Sequence, residues 1–331
     1  MIVLISSTKE YSVPVSGIQY FIDIREVGIP FLPGDLFGDK RDVFLEIGFG
    51  RGEFLENLAT TFPNSGFLGV EMSLTSVRKL LDRISRTGIE NVRVILADAS
   101  FLIRHVFSSS TFAGIYMNFP CPWPKRKHAR HRLSREMFIN GVARVLTPGG
   151  FFQVTTDSQN FLEEVVTSLS ESACFSKALI ERNPGPAIGT KYEKKWKAEQ
   201  RDIFRMTVSK VLPPKNCETL RSDEMPHTKI PSSAFSPSLL HKVTTEPVSK
   251  EQFTIIYKSI YTCTDKNEYL VDTVTNENGF EQRFFIKLVE GPEELLIKLF
   301  SSGLPFRTEA VKASVMELAL LIRDHSINGF K

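Results

Sequence analysis

From about residue 42 to residue 210, short apolar runs alternate with segments whose apolar side chains recur every three or four positions. Alternation of this kind is what a parallel sheet with helices on both faces requires, because each strand must be carried back to its start by a helix that buries one side. Strands are predicted at Val43 to Gly48, Phe67 to Glu71, Val92 to Leu96, Phe112 to Met117 and Phe151 to Thr155, with a late one at Ile203 to Val208. Between them Glu53 to Thr60 has helical character, and Leu74, Val77, Leu80, Leu81 and Ile84 follow at helical spacing. A helix capped at Ser134 carries Met137, Phe138, Val142 and Val145 on one face and is broken by the turn Pro148-Gly149-Gly150; another starts at Ser158.

Past Lys210 the texture changes. Pro213-Pro214 and an enrichment in Ser, Pro and Thr up to Val248 read as a linker or irregular connection, residues 213–250. Apolar periodicity then resumes, with strands expected at Phe253 to Tyr261, Tyr269 to Val274 and Arg283 to Val289 and an amphipathic helix at Thr308 to Ile322. Residues 251–331 are therefore expected to form a small C-terminal α+β module, preceded by a main α/β domain over 41–212 and an N-terminal extension over 1–40. No internal repeat is found.

The most distinctive stretch is Asn118-Phe119-Pro120-Cys121-Pro122-Trp123-Pro124-Lys125-Arg126-Lys127-His128. It follows an apolar strand with a proline-locked corner and then a dense cationic tail. From Lys125 to Arg135 there are six Lys or Arg, two His and no acid, a pattern that suits a phosphate backbone better than a small-molecule pocket. Lys127, Arg130 and Arg132 are the candidate backbone contacts. The whole chain has a net charge of only +3, so the basic character is local. The four cysteines, Cys121, Cys174, Cys217 and Cys263, form no CxxC pair. They point to a reducing, cytoplasmic setting without disulfides. Cys121, His128 and His131 lack a nearby fourth ligand, and no metal site is expected. Nothing approaches the ~20 apolar residues of a membrane span, and the first residues lack the basic region of a signal peptide. Trp196 is read either as a nucleotide-stacking ring or as a cover for an element edge.

Glu46-Ile47-Gly48-Phe49-Gly50-Arg51-Gly52 follows the first predicted strand of the main domain. Glycine at alternate positions lets the backbone pass close under a ligand as a helix opens behind it. This is not the dinucleotide fingerprint GxGxxG, which would need glycine where Glu53 stands. The acid before the loop suits a ligand that carries cationic groups. Glu71 closes the second strand, where an acid can accept both hydroxyls of a ribose, and Asp98 after the third is placed beside an adenine. Three acids at three successive strand ends point to S-adenosylmethionine.

With those residues in view, the chain resembles the tRNA (guanine-N7-)-methyltransferase family of class I methyltransferases. The resemblance is carried by Leu45 to Leu55, Gly69-Val70-Glu71, Ala97-Asp98-Ala99, Asn118 to Lys125, Leu146-Thr147-Pro148-Gly149-Gly150, Thr155-Thr156-Asp157 and Thr190-Lys191-Tyr192-Glu193, and covers about residues 35 to 210. It implies a Rossmann-like sheet with helices on both faces and an S-adenosylmethionine-dependent methyltransferase domain over 41–212. It implies that the cofactor is held by Glu46, Gly48, Gly50, Gly52, Glu71, Asp98 and Asn118, and the target nucleoside by Lys125, Asp157, Thr190, Tyr192 and Glu193. The implied reaction is methylation of N7 of guanosine 46 in the tRNA variable loop, with tRNA as partner and no membrane. The oligomeric state, monomer or homodimer, is left open.

The family has an acid in its NFPDPWPK motif where this sequence has Cys121. The catalytic candidates are therefore Cys121, by position, and Asn118. Guanine N7 presents a lone pair and no proton, so its methylation needs no general base, and loss of the acid is compatible with the same reaction. Two other readings stay open on the residues alone: a methyltransferase acting on an exocyclic amine, for which Asn-Phe-Pro-Cys-Pro-Trp has a distant likeness, and a non-catalytic RNA-binding protein on the same scaffold.

Overall fold

The computed structural model describes residues 16–24, 26–38, 41–120, 136–185, 201–214, 225–243, 247–277, 280–302 and 305–328. They fall into two compact units, one holding residues 16–24 and those described from 30 to 214, the other residues 26–29 and those described from 225 to 328.

The first unit is built on one eight-stranded sheet. Its strands are β1 (Phe21–Ile22), β2 (Val43–Ile47), β3 (Gly66–Glu71), β4 (Val92–Leu96), β5 (Phe112–Asn118), β6 (Leu146–Thr156), β7 (Leu179–Arg182) and β8 (Phe204–Ser209), in the spatial order β1-β4-β3-β2-β5-β6-β8-β7. Strands β1 to β6 pair in parallel, and β8 runs antiparallel to both neighbours. The connecting helices are α1 (Glu53–Thr61), α2 (Leu74–Thr87), α3 (Ala99–Phe101), α4 (Glu136–Val145) and α5 (Gln159–Glu171). From β2 the chain steps outward through β3 and β4, then returns to place β5 on the other side of β2. That reversal opens a crevice at the carboxyl ends of β2 and β5, where open α/β sheets bind ligands.

The helix α2 shows why the periodicity could be read. Val77, Leu80, Leu81 and Ile84 are buried, Ser73 caps its start by accepting the Ser76 N–H, and Gly88 ends it in a left-handed conformation. Two boundaries differ from expectation. Strand β6 starts at Leu146 rather than Phe151: Leu146 already pairs with Phe112, and Pro148-Gly149-Gly150 forms a bulge before Phe151 pairs with Gly114. Part of the N-terminal extension belongs to the sheet, because β1 pairs with β4 and the Arg93 guanidinium lies over the rings of Tyr20 and Phe37. Ser134 lies outside the described residues.

The second unit is an antiparallel sheet of six strands in the order β10-β11-β12-β13-β14-β9. These are β9 (His227–Pro231), β10 (Val248–Ser249), β11 (Phe253–Thr262), β12 (Glu268–Glu277), β13 (Phe280–Glu290) and β14 (Glu294–Leu299), with helices α6 (Leu240–Val243) and α7 (Glu309–Asn328). Along β13 the residues Gln282, Phe284, Ile286 and Leu288 are buried, and α7 adds Val311, Val315, Leu318 and Ile322 to the same core. The stretch expected to be a connection supplies β9 and the core residues Ile230, Phe235, Leu240 and Val243. Its composition hid the strand: Pro231 is tolerated because β9 is an edge strand. Among the described residues no helix is long and apolar enough to cross a membrane.

Candidate functional site

Strands β4, β3, β2, β5 and β6 lie side by side and run the same way. Their carboxyl ends therefore form a row, with neighbours about 4.8 Å apart. Asp98, Glu71, Glu46 with its glycine loop, Asn118 and Asp157 stand along that row in this order. Residues far apart in the chain become neighbours only through this strand order.

The loop after β2 holds Gly48, Gly50 and Gly52 at φ of 68, 55 and 72°, values that side chains resist. A Cβ on Gly52 would lie 2.7 Å from Leu80 of α2, so packing fixes that glycine. On Gly48 or Gly50 a Cβ would meet nothing within 4 Å, which leaves open space over the backbone for a ligand. Gly48 donates to the Val70 carbonyl at 2.8 Å and Gly52 to the Phe49 carbonyl at 2.7 Å.

Glu71 ties this loop to β3. Its Oε2 accepts the Gly50 N–H at 2.9 Å, while Oε1 accepts the N–H groups of Met72 at 2.8 Å and Ser73 at 2.9 Å. A carboxylate has about four acceptor positions, and three are used by backbone. In this arrangement one is left for a ligand hydroxyl, fewer than the two that a grip on both hydroxyls of a ribose uses.

Glu46 is buried in β2. Asn118 Nδ2 donates to its Oε1 at 3.3 Å, and Oε2 has no hydrogen-bond partner among the described residues. Burial pushes the carboxyl up to about 8; the Asn118 amide pulls it back part of the way, the nearby Glu71 charge raises it further and the Leu55 backbone lowers it. A buried acceptor left without a partner costs about 1 to 3 kcal/mol. A cationic group placed at Oε2 removes that cost and favours the ionised carboxylate. Tyr116 on the neighbouring strand is raised to about 12 by burial and then by the Glu46 charge.

Asp98 caps α3: its Oδ1 accepts the N–H groups of Ser100 at 2.7 Å and Phe101 at 3.2 Å. The cap aims the acid while leaving Oδ2 for another donor. Asp98→Ala is expected to lower stability by about 1 kcal/mol through removal of the cap, and Asp98→Asn by less, measured by chemical denaturation. Asp157 follows β6 and pairs with Arg201, Oδ2 to Nη1 at 3.1 Å. Phe119 follows Asn118 with a φ of 48°, unusual for a residue with a side chain, and donates its N–H to the Thr155 carbonyl at 2.7 Å. Cys121, Lys125, Lys127, Arg130, Arg132, Thr190, Tyr192, Glu193, His128, His131 and Trp196 lie outside the described residues.

Met72 was not among the residues expected at the site. It directly follows Glu71 at the rim and is 71% exposed, with Leu74 also exposed. An apolar side chain held open beside a strand-end acid is suited to lie against a planar ring. Its position after a strand-end acid was the available signal.

A family profile described as putative methyltransferase matches residues 40–206, the span that carries this row. The tRNA (guanine-N(7)-)-methyltransferase of Thermotoga maritima is 32% identical over 304 residues, covering 89% of this chain and 95% of that protein. The chain belongs to the tRNA (guanine-N(7)-)-methyltransferase family. The Aquifex aeolicus member is 28% identical over 281 residues, 84% of this chain and 93% of its own length. Alignments of that length extend past residue 210, so the family likeness takes in part of the second unit as well as the Rossmann-like first unit.

Proposed function

We propose that this methyltransferase transfers the methyl group of S-adenosylmethionine to N7 of guanosine 46 in the variable loop of tRNA. The observation that carries the reading is the buried, unpartnered Glu46 Oε2 beside the open backbone at Gly48 and Gly50, in a chain 32% identical along nearly its whole length to the Thermotoga maritima tRNA (guanine-N(7)-)-methyltransferase. The donor set fits the cofactor: Glu46 would hold its cationic portion, one acceptor of Glu71 would take a ribose hydroxyl, and Met72 and Asp98 would flank the adenine. When bound, the cofactor supplies an electrophilic methyl group on a sulfonium.

The protein's part is placement. Guanine N7 would present an in-plane lone pair to that methyl group. No proton leaves N7, so no side chain has to act as a base there. What this site contributes is in-line approach and anionic surroundings for the charge that moves onto the base. Asn118 is anchored to Glu46, and Asp157, held by Arg201, stands at the end of the row; Lys125, Thr190, Tyr192 and Glu193 enter this reading as substrate contacts from the family resemblance alone. A cytoplasmic setting is part of this reading; the described cysteines, Cys174 and Cys263, are both free.

Methyl transfer from labelled S-adenosylmethionine to bulk tRNA, followed by nucleoside analysis and mapping of the modified position, tests the reading. Label in 7-methylguanosine at position 46 is expected. Label on an exocyclic amine, or cofactor binding without transfer, overturns it. Cys121→Ala is expected to retain measurable activity and Cys121→Asp to match or exceed the parent, because positioning dominates. Complete loss in Cys121→Ala with cofactor binding intact assigns the sulfur a chemical role.

A further inference from the structure

Helix α2 carries Arg78, Lys79, Arg83 and Arg86 against the single acid Asp82, a net charge on fourteen residues equal to the +3 of the whole chain. Its sequence fits the core on one face, and nothing in that packing asks for four cations on the other. A concavity of about 370 Å³ lies along this basic face, lined by Arg51, Glu53, Lys79, Asp82, Arg83 and Arg86. Arg51 belongs to the glycine loop, so the concavity adjoins the cofactor row.

The cations here are not equivalent. Arg83 is committed: it pairs with Glu56 and donates to the Arg51 carbonyl at 2.5 Å. That bond ties α2 to the loop and fixes the floor. Arg86 uses its Nε on the Asp82 carbonyl at 3.0 Å, which holds the side chain along the helix. Among the described residues the side chains of Arg51, Lys79 and Arg86 make no ion pair. The two lining acids do not cancel the four lining cations. Three cations without an ion pair around one concavity match the chemistry of a phosphodiester, and Arg51 sets that concavity beside the row.

We infer that the concavity between the glycine loop and α2 holds a backbone phosphate of the substrate RNA, with Lys79 and Arg86 as its principal contacts. The inference rests on the tRNA reading above. It adds a second grip on the RNA, on the β3 side of the row and separate in sequence from the cationic stretch at residues 125–135.

The test is direct binding of unmodified tRNA by fluorescence anisotropy across a salt series, with Lys79→Gln/Arg86→Gln beside the parent and with S-adenosylmethionine affinity measured by calorimetry on both. Both substitutions are on an exposed helix face and keep helix-forming side chains, and a thermal melt checks the fold. The double variant is expected to bind tRNA at least fivefold more weakly, with cofactor affinity unchanged. Its log–log salt slope should be shallower by roughly 0.7 to 0.9 for each phosphate that is no longer neutralised. Unchanged tRNA affinity and slope overturn the inference. Loss of cofactor affinity instead assigns the concavity to the cofactor and equally overturns it. If the parent binds tRNA with a steep salt slope but does not methylate it, the reaction proposed above fails while the binding comparison still decides this site.

Discussion

Glu46→Gln is expected to weaken S-adenosylmethionine binding by at least tenfold at pH 8 and to abolish most of its pH dependence. In the unliganded protein burial holds the Glu46 carboxyl up to about 8 from an ordinary value of 4.5. A bound cationic group favours the carboxylate, so binding releases a proton. The parent's affinity should then rise with pH by as much as tenfold per unit and level off above about 8. The unliganded fold responds in the opposite sense. A carboxyl whose value is raised on folding keeps a proton that the unfolded chain has already released. Its contribution to stability is full below 4.5 and is lost as pH rises through about 8. Glutamine has no such proton. The variant should therefore be less sensitive than the parent over that window and the more stable of the two, unliganded, at its upper end. Calorimetry and thermal melts at pH 6, 7 and 8 check both halves. An equal pH slope in parent and variant removes Glu46 from the cofactor site.

Glu71→Ala carries the second large effect. A hydrogen bond to a charged acceptor contributes about 1.5 to 3 kcal/mol, so removal of the bond to the ligand alone predicts at least a tenfold drop in cofactor affinity. The structure adds a further effect, because the same carboxylate accepts the N–H groups of Gly50, Met72 and Ser73. Without it Gly50 loses its tie to β3, leaving the Gly48 bond to Val70 to hold the loop, and the three amides must find water. Glu71→Gln keeps one acceptor oxygen and should fall between alanine and the parent. Calorimetry with both variants checks this order, and hydrogen exchange at Gly50 tests the tie to the loop. Parent-like affinity in Glu71→Ala removes the residue from the site, whereas faster exchange at Gly50 with unchanged affinity leaves it only a structural role.

Strand β2, strand β3 and helix α2 were legible in the sequence because their apolar patterns have the period of the element and their ends carry their own signals, Gly48 after β2 and Ser73 and Gly88 around α2. Strand β9 was not legible. A five-residue edge strand that is mostly exposed and contains proline carries little periodicity, and its strand state comes from pairing with β14. The start of β6 was misread for a related reason: Pro148-Gly149-Gly150 is a break by local rules, yet Leu146 pairs with Phe112 before it.

For the site, the sequence by itself determined the residue types: an acid before a glycine loop, acids after the next two strands, and Asn118 ahead of the proline-locked corner. Those follow from local chemistry, since φ near 70° needs glycine and an acid closing a strand has its side chain at the rim. Only the tertiary structure decided what each acid does. Parallel pairing of β2 with β5 sets Asn118 against Glu46, and burial there, not the identity of the residue, raises that carboxyl to about 8. Pairing of β2 with β3 sets the glycine loop beside Glu71, where the Gly50 N–H joins the local Met72 and Ser73 N–H groups in using three of its four acceptor positions. Hydrogen-bond capacity and desolvation depend on the atoms that surround a group, and strand order, which brings distant residues to adjacent strand ends, supplies those atoms.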